Sequence, residues 1–173
     1  MDINNLDIKV NIYSPEFDTK LIKSLKDFQY PKEFLKFKNI IEILSRDFFY
    51  KDDNIAIEIY NGDAREYLKK FNKKIDIVYQ DPFSSDVNKS LWTKEYFELI
   101  KKISDDDTII TTYSIATPIR LAMWENGFNI YEIQHLKKRS TIALNKKKID
   151  SNYKFIDMKL KKERNKNAYT LKD

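Results

Sequence analysis

The sequence predicts an α/β protein: a layered sheet with helices on both faces. Three observations carry this. Short strand-like runs alternate with helix-like stretches along most of the 173 residues, the pattern of α/β layers joined by right-handed crossovers. Turn formers punctuate the runs, at Ser14-Pro15-Glu16, Asn61-Gly62 and Gly127. Apolar residues make up 42% of the chain and aromatics 14%, enough to fill a hydrophobic core and to set aside wholesale disorder.

The elements read in order. Ile8, Val10 and Ile12 alternate with polar residues as a strand, and Ser14-Pro15-Glu16 reads as the turn after it. Phe17, Leu21, Ile22, Leu25 and Phe28 recur at helical spacing, predicting a helix over 17–28. After Pro31 a second helix is expected over 33–49, with Phe34, Phe37, Ile40, Ile41 and Leu44 on one side. Ile55, Ile57 and Ile59 alternate as a strand, and Asp63 is placed to cap a helix over 64–71. Residues 75–79, Ile-Asp-Ile-Val-Tyr, read as a strand covered on both faces. A loop over 80–93 leads to a helix over 94–103 with Thr93 as its cap. Residues 108–112 are β-branched throughout and read as a strand. A helix over 116–126 ends at Gly127, and strands near 128–133 and 140–144 complete the pattern. Residues 149–173 read as a polar extension of weak periodicity. The division expected is a sheet domain over 1–145 and a basic extension over 146–173.

Composition removes several classes of chemistry. There is no cysteine, hence no disulfide framework, thiolate metal site or thiol nucleophile. The single His135 rules out a multi-histidine metal site and reads as a surface or edge residue. No apolar run approaches the roughly 20 residues that span a bilayer, and the first ten residues lack the pattern of a secretory signal. A cytoplasmic location is expected, with no membrane and no metal. With only two glycines, Gly62 and Gly127, the chain holds no glycine-rich phosphate loop.

Charge is uneven. Net charge is +5, yet residues 137–173 carry 13 basic and 4 acidic side chains, while residues 1–136 carry 19 and 23. A basic end on a mildly acidic body suits a polyanion partner, since each cation near a phosphate releases counterions. A lysine-rich solvated surface would give the same count.

In layered α/β sheets ligands bind beyond the carboxyl ends of the strands. Three loops leave those ends, at Ser14-Pro15-Glu16, Gly62-Asp63-Ala64 and Gln80-Asp81-Pro82-Phe83. Asp81 follows an apolar strand, where a carboxylate can accept hydrogen bonds from an amine, orient its lone pair and take up a proton; it could equally cap a turn. Pro82 stiffens the loop. Phe83 offers a face for a stacked base or packs inward. Asp63 is first a helix cap, and could bond an adenine amine only if its two oxygens divide the work. Tyr113 could line the mouth or satisfy loop backbone. Trp92 reads as a core anchor before a stacking platform.

At these residues the sequence resembles the methyltransferase domain of the MnmC-type (MnmD-type) tRNA-modifying enzymes. Their pattern runs G-D-A, then D-G-F-A-P-x-x-N-P-x-M-W-T, then T-Y-S. Here stand Gly62-Asp63-Ala64, then Asp81-Pro82-Phe83-Ser84-Ser85 through Asn88, Leu91, Trp92 and Thr93, then Thr112-Tyr113-Ser114. The spacing from Asp81 to Asn88 and Trp92 matches without a gap. Arg120, Asn126-Gly127-Phe128 and Lys138-Arg139 fall where the family has V-R-x-x-L, a G-F pair and a basic turn. The resemblance covers about residues 12–144.

The resemblance implies a Rossmann-like S-adenosylmethionine-dependent methyltransferase. It implies methyl transfer to the amine of 5-aminomethyl-(2-thio)uridine at the tRNA wobble position. By the match, Asp81 is the catalytic acid and Asp63 and Ala64 hold the cofactor, with Glu16, two residues off the family's acid position, expected beside them. Phe83, Asn88, Trp92 and Tyr113 are expected to face the substrate. The expected partners are tRNA and an oxidoreductase that prepares the amine. Competing readings are a cofactor-deficient RNA-binding remnant and an amino-methyltransferase with another substrate. There are departures. Pro82 replaces a glycine, Ser85 and Lys89 replace prolines, and the ribose-strand acid position holds Ser14, with Glu16 two residues on. The family's first strand and its glycine-rich turn would precede Ile8. The chain is therefore expected to be incomplete at its N-terminus, with backbone left unpaired and an apolar slot uncovered between the strands at 8–12 and 75–79.

Overall fold

The structure, a computed structural model, describes residues 8–135, 138–148 and 152–173; of His135 it describes the backbone alone, so the surface reading of that side chain lies outside the described residues. The chain forms two compact units, Met1–Tyr67 and Leu68–Asp173.

The first unit is a three-stranded sheet with helices. Strand β1 (Val10–Glu16) pairs in parallel with β3 (Ile55–Asn61), which pairs antiparallel with β2 (Phe49–Lys51), in the order β1-β3-β2. The expected turn at Ser14-Pro15-Glu16 is instead the end of β1, in register with Ile59, Tyr60 and Asn61. A proline fits there because β1 is an edge strand and can lose an N–H without breaking a ladder. Helix α1 (Thr19–Ser24) is capped by Asp18, whose Oδ1 accepts from the backbone N of Lys20 and Leu21. The helix expected over 17–28 is thus shorter and finishes in a 3-10 turn, Leu25–Asp27. Residues Lys32–Phe37 are also 3-10, and only then does α2 (Lys38–Asp47) begin. A 3-10 turn has three residues per turn, so side chains spaced for an α-helix no longer share a face. Phe34 and Phe37 are exposed in consequence, against the expectation of one apolar side, and Phe17 is exposed because it precedes the cap of α1. α2 stops at Phe48, which adopts a left-handed φ of 60° while its N–H reaches the carbonyl of Leu44. That reversal starts β2, whose first residue, Phe49, falls within the helix expected over 33–49.

The second unit holds the main core. Its sheet runs β4 (Ile75–Tyr79), β5 (Ser104–Thr112), β7 (Lys138–Leu144), β6 (Asn129–His135) and β8 (Lys154–Phe155), in the order β4-β5-β7-β6-β8. β4 and β5 are parallel; the remaining pairs are antiparallel. Helix α3 (Ala64–Lys70) carries the chain from the first unit into the second. Helix α4 (Lys94–Ile103) buries Tyr96, Phe97, Ile100 and Ile103, an i, i+1, i+4, i+7 stripe. Thr93 caps it through a bond from the backbone N of Tyr96. Helix α5 (Thr117–Trp124) starts with Pro118 in its first turn, and Gly127, at φ 83°, turns the chain into β6. Both helices pack with Trp92, Ile110, Phe128, Ile130 and Ala143 into one cluster. The reading of residues 149–173 as a loose polar extension misses real structure. β8 pairs with β6, and α6 (Met158–Arg164) buries Met158 in the main cluster. The C-terminal segment returns to α4, where the carbonyl of Leu171 accepts from Lys94 N.

β4 departs from the covered strand that its apolar run predicts. Ile77 is 49% exposed and Tyr79 78%. Among the described residues β4 pairs only with β5, and β1 only with β3. Each is the end strand of its own sheet, which leaves one backbone edge unpaired, as expected of strands that lack a neighbour. Among the described residues no helix is long and apolar enough to cross a membrane.

Candidate active site

The predicted residues fall into two groups, one in each unit. In the first unit the parallel strands β1 and β3 end level with each other, Glu16 opposite Asn61. The backbone N of Gly62 donates to the carbonyl of Glu16 at 2.9 Å, which locks the two strand ends. Gly62 has φ 157°, and a Cβ built on it would come within 2.9 Å of the Tyr60 ring. A side chain there would push on the aromatic pair Tyr60–Tyr67, stacked at 4.6 Å. Asp63 caps α3: its Oδ1 accepts from Arg65 N at 2.7 Å and Glu66 N at 3.1 Å. Both cap bonds fall on Oδ1, so the cap uses one of the two carboxylate oxygens. Glu16 behaves likewise, its Oε1 accepting from Asp18 N at 2.8 Å. Ala64 opens the helix. Two neighbouring carboxylates, each with one oxygen tied to its own turn, offer acceptors of the kind that ribose hydroxyls and an adenine amine require. These residues fit that half of S-adenosylmethionine, while the sequence holds no glycine-rich turn for the rest.

In the second unit the loop after β4 is pinned at several points. Gln80 is buried. Its backbone N donates to Thr111 O, and its side-chain Nε2 donates to Leu91 O at 2.7 Å, tying the loop's start to its end. Trp92 is fully buried and donates its indole N–H to the carbonyl of Phe83 at 2.7 Å. Tyr113 donates its hydroxyl to the carbonyl of Pro82 at 3.0 Å, and its ring meets Trp92 edge-on at 5.8 Å. Val87 and Asn88 both donate their backbone N to Ser84 O, closing a turn that presents Asn88. Asp81 emerges from this frame exposed, and Phe83 is 76% exposed beside it. Of the two openings foreseen for Phe83, packing inward is removed. Trp92, expected from the resemblance to face the substrate, is instead fully buried in the core and holds the loop from below through its indole N–H. Tyr113 satisfies loop backbone, one of the two roles expected of it, and remains half exposed.

Sequence reasoning passed over the support behind Tyr113. The carbonyl of Ser114 accepts from Thr141 Oγ1 at 2.5 Å, and Thr141 Oγ1 accepts from Arg120 Nε at 2.9 Å. Arg120 is buried and pairs with Glu132 at 3.0 Å. Burial pushes the Glu132 carboxyl up. The hydrogen bond and charge of Arg120, with the charges of Arg139 and Lys154, outweigh that and hold it below the ordinary range. An arginine amid the apolar residues of α5 was the one available signal, since a buried cation needs a partner.

Residues 28–147, the greater part of the chain, match the family described as S-adenosyl-L-methionine-dependent methyltransferase. An uncharacterized protein of Methanocaldococcus jannaschii is 35% identical over 95 residues, 55% of this chain and 27% of that protein. The tRNA 5-methylaminomethyl-2-thiouridine biosynthesis bifunctional protein MnmC of Burkholderia vietnamiensis is 32% identical over 79 residues, 46% of this chain and 12% of that one. The crystal structure of MNMC2 from Aquifex aeolicus superposes with a TM-score of 0.77 at 25% identity, covering 95% of this chain and 52% of that chain. A probable spermidine synthase from Corynebacterium glutamicum shares the fold, with a TM-score of 0.54 at 13% identity over 99% of this chain and 75% of that one. The chain therefore matches about half of the Aquifex chain and smaller shares of the two curated relatives. It is a member of the S-adenosyl-L-methionine-dependent methyltransferase family.

Proposed function

We propose that this chain supports methyl transfer to the primary amine of 5-aminomethyl-(2-thio)uridine at the wobble position of a tRNA, giving the 5-methylaminomethyl product. The observation that carries the reading is Asp81: a carboxylate standing exposed at the end of β4, on a loop held by Gln80, Trp92 and Tyr113. The names of the MnmC relatives and of the Aquifex structure support the choice of substrate.

S-adenosylmethionine supplies an electrophilic methyl group. Glu16 and Asp63 would accept hydrogen bonds from its ribose and adenine, with Ala64 alongside. The attacking amine must be neutral, so a base has to hold its proton. Asp81 would accept an N–H of the amine, orient its lone pair, and take up the proton that the nitrogen loses on alkylation. Phe83 stacks on the uracil ring, while Asn88 and Tyr113 fix its edge. Such a site works chiefly by positioning, which is why its loop is tied at so many points. The partners in this reading are tRNA and an oxidoreductase that exposes the amine.

The test is incubation with S-adenosylmethionine and tRNA bearing the aminomethyl base, followed by mass analysis of the nucleosides. One added methyl group per wobble base is expected, lost in Asp81→Ala. Incorporation by Asp81→Ala within a few-fold of wild type overturns the assignment.

A further inference from the structure

The basic end of the chain is not evenly solvated. On the β6–β7–β8 side of the second unit, Glu132 faces Arg120 at 3.0 Å and Arg139 at 3.8 Å, and Lys154 lies directly across the ladder from it. Lys161 of α6 joins this group. Burial and the charges of Arg120 and Arg139 lower its ammonium, against the pull of Glu132. Four cations thus surround one carboxylate. The cationic excess would be relieved by an anion, and Arg139, Lys154 and Lys161 reach solvent.

Lys161 also lines a groove of ≈ 320 Å³, together with Phe155, Ile156, Leu160 and Arg164 among others. The groove lies at the edge strand β8, where Lys154 pairs with Glu132 and Phe155 with Tyr131, so that the side chains of Lys154 and Phe155 leave opposite faces of the sheet. Phe155 and Leu160 are 41% and 40% exposed. Lys147 lies 4.4 Å from the centre of the Phe155 ring, whose edge meets Tyr131. One acid, Asp157, also lines the groove, and its Oδ1 caps α6 at Leu160 N. A flat apolar strip with an aromatic ring, rimmed by cations, is the chemistry that single-stranded or loop nucleic acid uses: bases stack and phosphates pair. An anionic membrane would be met by many cations on a broad face, whereas here two, Lys161 and Arg164, line one groove.

We infer that the β8–α6 edge is an RNA-docking surface, with a phosphate held by Arg139, Lys154 and Lys161 on one face of the edge strand and a base lying against Phe155 and Leu160 in the groove that Lys161 shares. It rests on the proposed function for the kind of RNA and names a contact region away from the loop of Asp81.

Fluorescence anisotropy with a labelled, unmodified tRNA transcript tests it on the intact chain, with thermal melting to verify each fold. Lys154→Glu with Lys161→Glu should weaken binding at least tenfold. It should also flatten the dependence of log K on log salt by about 1.4–1.8, since each of the two phosphate contacts contributes about 0.7–0.9. Phe155→Ala should weaken binding about tenfold and leave that slope unchanged. Lys38→Glu with Lys51→Glu, an equal charge change in the first unit, should stay within twofold. If charge reversal lowers the melting point, Lys154→Gln with Lys161→Gln gives the same reading. Equal losses in the two double variants, or undiminished binding in Lys154→Glu with Lys161→Glu, overturn the surface. So does loss of binding to phosphatidylserine vesicles in that variant while RNA binding stays intact. Methyl incorporation by wild type with unaltered RNA affinity in the variants removes this surface and leaves the reaction standing. RNA affinity lost in the variants, with no methyl incorporation by wild type, does the reverse.

Discussion

The indole N–H of Trp92 donates to the carbonyl oxygen of Phe83 across 2.7 Å, from a ring that is wholly buried to a residue that is mostly exposed. One hydrogen bond therefore ties the most mobile kind of segment, a surface loop, to the most rigid part of the core. Trp92→Phe keeps most of the buried ring and removes only the donor. The net loss of such a hydrogen bond costs about 0.5–1.5 kcal/mol, since the freed carbonyl belongs to an exposed residue. A modest fall in unfolding free energy is expected, with a larger fall in kcat than in substrate affinity. Chemical denaturation and methyl-transfer kinetics would read the two. A variant with unchanged kcat would show that the loop does not depend on this anchor.

Asp63 can be divided into its two duties. Asn caps helices about as well as Asp, whereas Ala costs roughly 1 kcal/mol. Asp63→Asn should therefore melt like wild type while binding S-adenosylmethionine less tightly, because an amide presents a donor where a cofactor amine needs an acceptor. Asp63→Ala should lose both. Calorimetric titration beside thermal melting separates them, and equal cofactor affinity in Asp63→Asn would confine Asp63 to capping.

The Glu132 carboxyl gives a pH signature. It faces Arg120 from α5, Arg139 from β7, Lys154 from β8 and the charge of Lys161 from α6. Its folded value lies below the ordinary 4.5, so the folded state favours the ionised form. That stability is fully present above 4.5 and is lost as pH falls through the lower, folded value. Glu132→Gln should flatten the acid limb of a stability–pH curve. It should also be less stable than wild type at neutral pH, by about 3–5 kcal/mol if Arg120 is left uncompensated. An acid limb of the same steepness in the variant would assign the effect to other carboxylates.

At the free edge of β4, Ile77 and Tyr79 present apolar side chains beside unpaired backbone, a template for pairing with another chain. Ile77→Lys should reduce self-association of the 173-residue chain, read by light scattering at rising concentration. The melting temperature should change little, since half the side chain is already in water. Undiminished association would place the sticky surface elsewhere, for instance on the exposed phenylalanines of the first unit.

Gly127 tests the turn into β6. Its φ of 83° is left-handed, and a Cβ there would meet only the Lys101 side chain at 3.8 Å. Gly127→Ala therefore carries conformational strain and little clash, about 1–2 kcal/mol, measurable by denaturation. A neutral result would mean that the backbone relaxes.

Much of this protein is written locally. The caps Asp63 and Thr93, the strand runs at 55–59, 75–79 and 108–112, the Gly127 stop and the spacing from Asp81 to Trp92 all follow from neighbours within a few residues. The sequence alone reaches them, because capping, alternation and turn chemistry depend on short-range geometry. What lies at long range was settled by packing. Whether residues 33–37 wind as 3-10 or α, whether β4 is covered or at an edge, and where the basic end docks all depend on partners distant in the chain. Arg120 shows the difference most clearly: its position in α5 is legible from the sequence, but Glu132 and Thr141 became its partners only when β6 and β7 folded beside it, because a buried charge is defined by what surrounds it.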